Sequence, residues 1–103
     1  MRIRLRSKRV EMTPQLRQFI ERRVRSVFGR FWDREGRVDV SLVDENGHKG
    51  GADTTCLILA NIDGQAVVVT ERRTSAFSAA SRAFARAGQT LTRRLERRRL
   101  RRA

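Results

Sequence analysis

The spacing between apolar residues switches several times along this chain, and the order of the switches leaves few folds open. Ile3 and Leu5 alternate with Arg2, Arg4 and Arg6, the two-residue period of a strand covered on one side. Thr13-Pro14 then predicts a helix start, with a hydroxyl at the N-cap and a proline at the first helical position. From there Leu16, Phe19, Ile20, Val24, Val27 and Phe28 recur at three- and four-residue steps, and Gly29 is a natural stop. Phe31 and Trp32 are expected to close over the helix end. Asp33-Arg34-Glu35-Gly36 reads as a turn. Val38, Val40 and Leu42, alternating with Asp39 and Ser41, predict a second strand. Glu45 to Gly51 has three glycines and no apolar residue, so it reads as a loop. Strands follow at about Asp53–Ala60 and Gln65–Glu71, joined by the hairpin-type turn Asn61-Ile62-Asp63-Gly64.

Thr74-Ser75 are N-cap types that open a last helix, in which Phe77, Ala80, Phe84, Ala87, Leu91 and Leu95 keep helical spacing. Beyond Leu95 the pattern fails, because Arg98, Arg99 and Arg102 fall on the apolar side. One α+β domain is therefore expected over residues 1–97, with a fraying basic tail at 98–103. The order β-α-β-β-β-α predicts a four-stranded sheet with two helices packed on one face.

The charge is as uneven as the spacing. The net charge is +13, but residues 1–37 hold 12 Lys and Arg against 4 Asp and Glu. Residues 38–71 hold 1 against 6, and residues 72–103 hold 11 against 1. A charge that only kept the chain soluble would be spread evenly. Arginine supplies 22 of the 24 basic residues, and the guanidinium fork suits phosphate oxygens better than an ammonium group does.

On a helical wheel at about 100° per residue, the core side of the second helix centres on Phe77, Phe84, Leu91 and Leu95. Arg82, Arg86, Gln89, Arg93 and Arg97 lie opposite, with Arg94 nearby. Like charges at this spacing repel by a few tenths of a kcal/mol per pair, and Glu96 is the only acid in the helix. Such a stripe suits a polyanion, whose condensed counterions it would release. The first helix adds Arg17, Arg22 and Arg25 on its exposed side. Arg23 falls inside the apolar arc, and it is expected to snorkel past the sheet edge. With both helices on one sheet face, their outer surfaces would form a basic platform with a groove between them. That surface fits folded RNA read by shape and backbone.

Other classes find less support. DNA is a weaker candidate, since no familiar recognition-helix motif is present. A membrane surface lacks an apolar anchor, and no stretch reaches the roughly 18 apolar residues of a membrane span. The N-terminus has no hydrophobic signal core, so a cytoplasmic location is expected. His48 sits in the glycine-rich loop with no Cys or acid at ligand spacing, which argues against a metal or a general base. Asp39, Asp44, Glu45 and Asp53 lie on or beside strands, where cross-strand pairing with arginines is the ordinary reading. Glycines 47, 50 and 51 are too irregular for a phosphate-cradling loop. Cys56, in an apolar run, reads as a buried thiol. No enzymatic role, cofactor, metal or small-molecule substrate is expected.

The run Val10-Glu11-Met12-Thr13-Pro14-Gln15-Leu16-Arg17-Gln18-Phe19-Ile20-Glu21-Arg22-Arg23-Val24 resembles the opening of the ribosome hibernation promoting factors. These are also called ribosome-associated inhibitor A or sigma-54 modulation proteins. Phe31, His48-Lys49 and Ser75-Ala76-Phe77-Ser78-Ala79-Ala80 are similar to later stretches of the family in the same order. The resemblance implies a fold like that of double-stranded-RNA-binding domains. It implies binding to the small ribosomal subunit, in the channel for messenger and transfer RNA, with basic residues of both helices on 16S ribosomal RNA. Translation would be held idle by occlusion near the decoding region. Arg22, Arg23, Arg86 and Arg93 match basic positions of the family pattern, whereas Arg25, Arg82, Arg94 and Arg97 rest on helix geometry. Gln89, Phe77, Ser81, Ala85 and Arg72-Arg73 depart from it. The length resembles the short type, without the extra C-terminal domain through which long members pair two ribosomes, and a monomer is expected. The alternative is a general structured-RNA or DNA binder, such as an RNA chaperone.

Overall fold

Thr13 sits in an extended conformation, and its Oγ1 accepts a hydrogen bond from the Leu16 N–H at 3.1 Å. That cap and Pro14 set the start of α1, Pro14–Phe28. Leu16, Ile20, Val24 and Phe28 are its buried face. Gly29 does not stop the helix through a left-handed turn; its φ of −58° is right-handed, and the chain tightens into a 3-10 turn over Gly29–Phe31. Phe31 closes the helix end as expected, with the Arg30 and Arg34 guanidinium groups 4.8 and 5.4 Å from its ring centre. Trp32 does not; it is 44% exposed.

The computed structural model describes residues 1–45 and 53–102. The strands are β1 (Arg2–Lys8), β2 (Gly36–Asp44), β3 (Thr54–Ile62) and β4 (Gln65–Arg73), ordered β1-β2-β3-β4 in one sheet. β1 and β2 run parallel, which requires a crossover, and α1 supplies it. The other pairs are antiparallel. β3 and β4 are joined by Asp63 and Gly64 alone, with φ of 52° and 80°, the two left-handed residues of a type I′ turn. Gly36 is needed at the start of β2, because a Cβ there would lie 2.2 Å from the Asn61 carbonyl oxygen. His48 and Lys49 lie outside the described residues.

Val38, Val40 and Leu42 of β2, Cys56, Ile58, Ala60 and Ile62 of β3, and Val67 and Val69 of β4 join one core with α1 and α2. Cys56 is in it, fully buried, and burial lifts its thiol from an ordinary 9.0 to about 12.

The second helix, α2, spans Ala76–Arg102 and lies over β3 and β4 beside α1. The Ser75 Oγ accepts from the Ser78 N–H at 3.1 Å, the N-cap expected of that residue type. Its buried face is Ala79, Ala80, Ala83, Phe84, Ala87 and Leu91, rotated from the expected centre. Phe77 is 44% exposed and leans on Phe19 of α1, with ring centres 5.3 Å apart. The alanine file lets the helix backbone approach the sheet closely, and the larger Phe77 is turned aside toward α1. The helix also outlasts its apolar pattern. Residues expected to fray beyond Arg97 are helical as far as Arg102, and Arg98 donates to the Asp63 carbonyl at 2.6 Å.

Candidate nucleic-acid interface

Arg22 and Arg25 are exposed on α1, and neither has an ion pair or hydrogen bond from its side chain among the described residues. Arg25 borders a depression with Arg17, Ile3, Leu5 and Trp32, so it faces the β1 side of the helix rather than α2. Arg23 corrects an expectation. It does not pass the sheet edge but turns into the space between the helices, where its Nη2 donates to the Ser81 carbonyl at 3.1 Å. Its Nε is buried without a partner among the described residues. Arg30, two turns further along the same side of the chain, donates to Thr92 Oγ1 of α2. Arg23 of α1 and Arg30 of the 3-10 turn that follows it therefore tie the two helices together. The seven-residue spacing of Arg23 and Arg30 was a visible signal that both point the same way.

The stripe expected on α2 is present but not uniform. Arg82, Arg86, Arg93, Arg94 and Arg97 are all exposed. Arg82 and Arg86, however, lean toward β4 and share one carboxylate, Glu71, at 3.5 and 3.1 Å. Arg73 joins the same group at 3.2 Å, so a single anion stands among three guanidinium groups. Glu71 is mostly covered, its side chain 12% exposed. Arg93 meets only Thr90, at 3.5 Å, and Arg97 has no side-chain partner among the described residues.

Arg94 reaches the Ala66 carbonyl, Arg86 the Thr70 carbonyl and Arg98 the Asp63 carbonyl. β4 is the outer strand of the sheet, and the bonds to Ala66 and Thr70 occupy acceptors along its unpaired edge, while Asp63 belongs to the turn that leads into it. Arg94 thus acts in the fold, and its charge remains at the surface.

Between the helices runs a shallow groove floored by Val27 and Gly88 and rimmed by Arg23, Arg30, Gln89 and Arg93. A Cβ at Gly88 would fall 2.9 Å from Val27 Cγ1, so the glycine sets how closely the helices approach. The two helices together hold 13 arginines and 2 glutamates. An exposed cationic surface of that kind can neutralise several phosphates. Elsewhere Asp53 pairs with Arg72 of β4, the cross-strand kind expected, whereas Asp39 pairs with Arg37 of its own strand at 3.7 Å, Glu45 accepts from Thr55 Oγ1 at 3.3 Å, and Asp63 of the turn pairs with Arg34 at 2.8 Å. No group of three or more metal-ligating side chains occurs among the described residues. Among the described residues no helix is long and apolar enough to cross a membrane.

Several known proteins share this architecture. The crystal structure of the Thermus thermophilus Protein Y N-terminal domain superposes with a TM-score of 0.74 at 23% identity, over 90% of this chain and 98% of that one. A ribosomal subunit interface protein from Coxiella burnetii gives a TM-score of 0.77 at 9% identity, over 93% and 99%. At those identities the likeness speaks for the fold. Comparison with curated protein sequences produced no match. The family model described as sigma 54 modulation protein / S30EA ribosomal protein matches residues 3–99, nearly the whole length. The chain belongs to that family.

Proposed function

We propose that this protein is a ribosome-associated translation inhibitor of the hibernation type, binding 16S ribosomal RNA of the small subunit near the decoding region. The exposed arginines of α1 and α2 carry the reading: Arg22, Arg25 and Arg97 stand free of the protein's own carboxylates among the described residues, as does Arg93. Family membership and the structural neighbours, a ribosomal subunit interface protein among them, support ribosome association. Action is by occupancy. The α1–α2 surface lies on the RNA backbone, releases its counterions and blocks the channel that messenger and transfer RNA would use, with no covalent step. The protein acts as a cytoplasmic monomer.

Four phosphate contacts give a logarithmic salt slope of about 3 to 4, so raising salt fourfold weakens binding roughly 50- to 150-fold. The test pairs sedimentation with in vitro translation. Wild type is expected to travel with 30S and 70S particles at low salt and to inhibit translation. A variant with Arg22, Arg93 and Arg97 changed to Gln keeps its fold, because no ion pair is lost, but it no longer inhibits translation and leaves the particles at lower salt than wild type. Recovery of wild type only in ribosome-free fractions refutes the proposal. Equal affinity for ribosomes and bulk duplex at matched salt favours a general RNA or DNA binder instead.

A further inference from the structure

The sheet has a second face, and its charge is not accounted for by the helices. In β1 the side chains of Ile3 and Leu5 lie on the helix side, in register with buried Val38 and Val40. Arg2, Arg4, Arg6 and Lys8 therefore point away from the helices, and all four are exposed. None has an ion pair or hydrogen bond from its side chain among the described residues. Their partners across the ladder are Arg37, Asp39, Ser41 and Val43. Asp39 is the sole acid on this face of the described strands, and it is already shared with Arg37 at 3.7 Å.

The members of this row are two residues apart on one strand, so their Cα atoms are about 6.7 Å apart and the row spans about 20 Å. Like charges held this way repel in the free protein. A carboxylate-bearing protein surface would have to match that repeat by chance, while a nucleic-acid backbone repeats by construction. Three of the four are guanidinium groups, which bind phosphate in a fork. This face has no aromatic side chain in its strands, which points to backbone contact rather than base stacking. Its exposed apolar residues, Leu59 and Val68, belong to β3 and β4, two or more strand spacings from the row.

We propose that the β1 row is a second phosphate-backbone site, so that the protein lies between two RNA segments, with the helices on one and the open sheet face on the other. The bridging rests on the reading of the helices as an RNA surface; the row does not.

The test uses the full chain and one short RNA hairpin, half of it labelled with a fluorescence donor and half with an acceptor. Wild type is expected to bind two hairpins and to give energy transfer between them. The Arg2→Gln, Arg4→Gln, Arg6→Gln variant is expected to bind one, without transfer, and its total logarithmic salt slope falls by about 2 to 3. Lysine at the same three positions restores both. The Arg22→Gln, Arg93→Gln, Arg97→Gln variant should keep one hairpin, held by the row. If the β1 variant keeps two hairpins and the full slope, the proposal is overturned, while the helix variant still decides the helix surface on its own. Loss of all binding in the helix variant also overturns it. So does a glutamine variant that self-associates but keeps wild-type RNA stoichiometry, since the row would then only guard the strand edge. Tighter binding of polyglutamate than of the hairpin at matched salt points to an acidic protein partner and overturns it as well.

Discussion

Changing Glu71 to Gln separates what the arginines do for the fold from what they do for a ligand. The Glu71 carboxylate lies 3.1 to 3.5 Å from Arg86, Arg73 and Arg82, so its charge is the one that quiets that end of α2. The three arginine side chains are 43 to 60% exposed, which places each pair among the weak, screened kind worth about 0.2 to 1 kcal/mol. Glutamine keeps the shape and an acceptor. The expected loss is therefore about 1 to 2 kcal/mol at low salt, shrinking as salt screens the pairs. In a domain of this size, 1 kcal/mol lowers Tm by about 4 to 8 °C. Binding should move the other way, because Arg82 and Arg86 no longer share an internal anion. Freeing two cations steepens the logarithmic salt slope by about 1.5 to 2 and tightens binding to 30S particles at low salt. Thermal melts at two salt concentrations and a salt series of binding constants read both effects. Weaker binding, or an unchanged slope together with a lowered Tm, refutes the idea that Glu71 competes with phosphate for these arginines.

Three further outcomes follow from the fold. Phe84→Ala removes a fully buried ring set edge-on to Phe28 at 6.3 Å between centres, and urea unfolding should show a loss of about 3 to 5 kcal/mol. Thr13→Ala deletes the acceptor for the Leu16 N–H and should cost about 1 kcal/mol, with Thr13→Ser restoring most of it. Because Cys56 is raised by burial from 9.0 to about 12, the folded thiol stays protonated where the unfolded chain has released its proton. That contribution is complete below pH 9.0 and is lost as pH rises toward about 12, so stability should decline across that window in wild type and less in Cys56→Ala.

Much of the fold is legible where local chemistry decides it. Thr13-Pro14 must begin a helix, alternation must make strands, and Asp63-Gly64 closes the hairpin as a two-residue turn. What was not legible depends on which element lies against which. A hydrophobicity wheel weights Phe77 above Ala79 and Ala83, yet close packing on β3 and β4 selects the alanines, and their four-residue repeat was the available signal. The same wheel shows Glu96 as the acid of α2 but cannot show Glu71, which reaches Arg82 and Arg86 from another strand. Arg23 looked misplaced only because α2 was not yet beside it, offering the Ser81 carbonyl. The end of α2 reads as fraying because arginines there have no core to face, whereas Arg98 reaches the Asp63 carbonyl instead. For the interface, exposure of Arg22, Arg25, Arg82, Arg86, Arg93, Arg94 and Arg97 was readable, while Arg23 is half-buried between the helices. Their division into free cations, Glu71 partners and caps of the β4 edge was not, because hydrogen-bonding partners belong to tertiary structure.

The most direct measurement places a photoreactive residue at Gln89, which is exposed on α2 at the rim of the interhelical groove, and irradiates the protein with purified 30S particles. Cross-links into 16S ribosomal RNA are expected, and they should disappear in the Arg22→Gln, Arg93→Gln, Arg97→Gln variant. Cross-links confined to ribosomal proteins, or RNA cross-links that survive that variant undiminished, contradict a helix surface held by the RNA backbone.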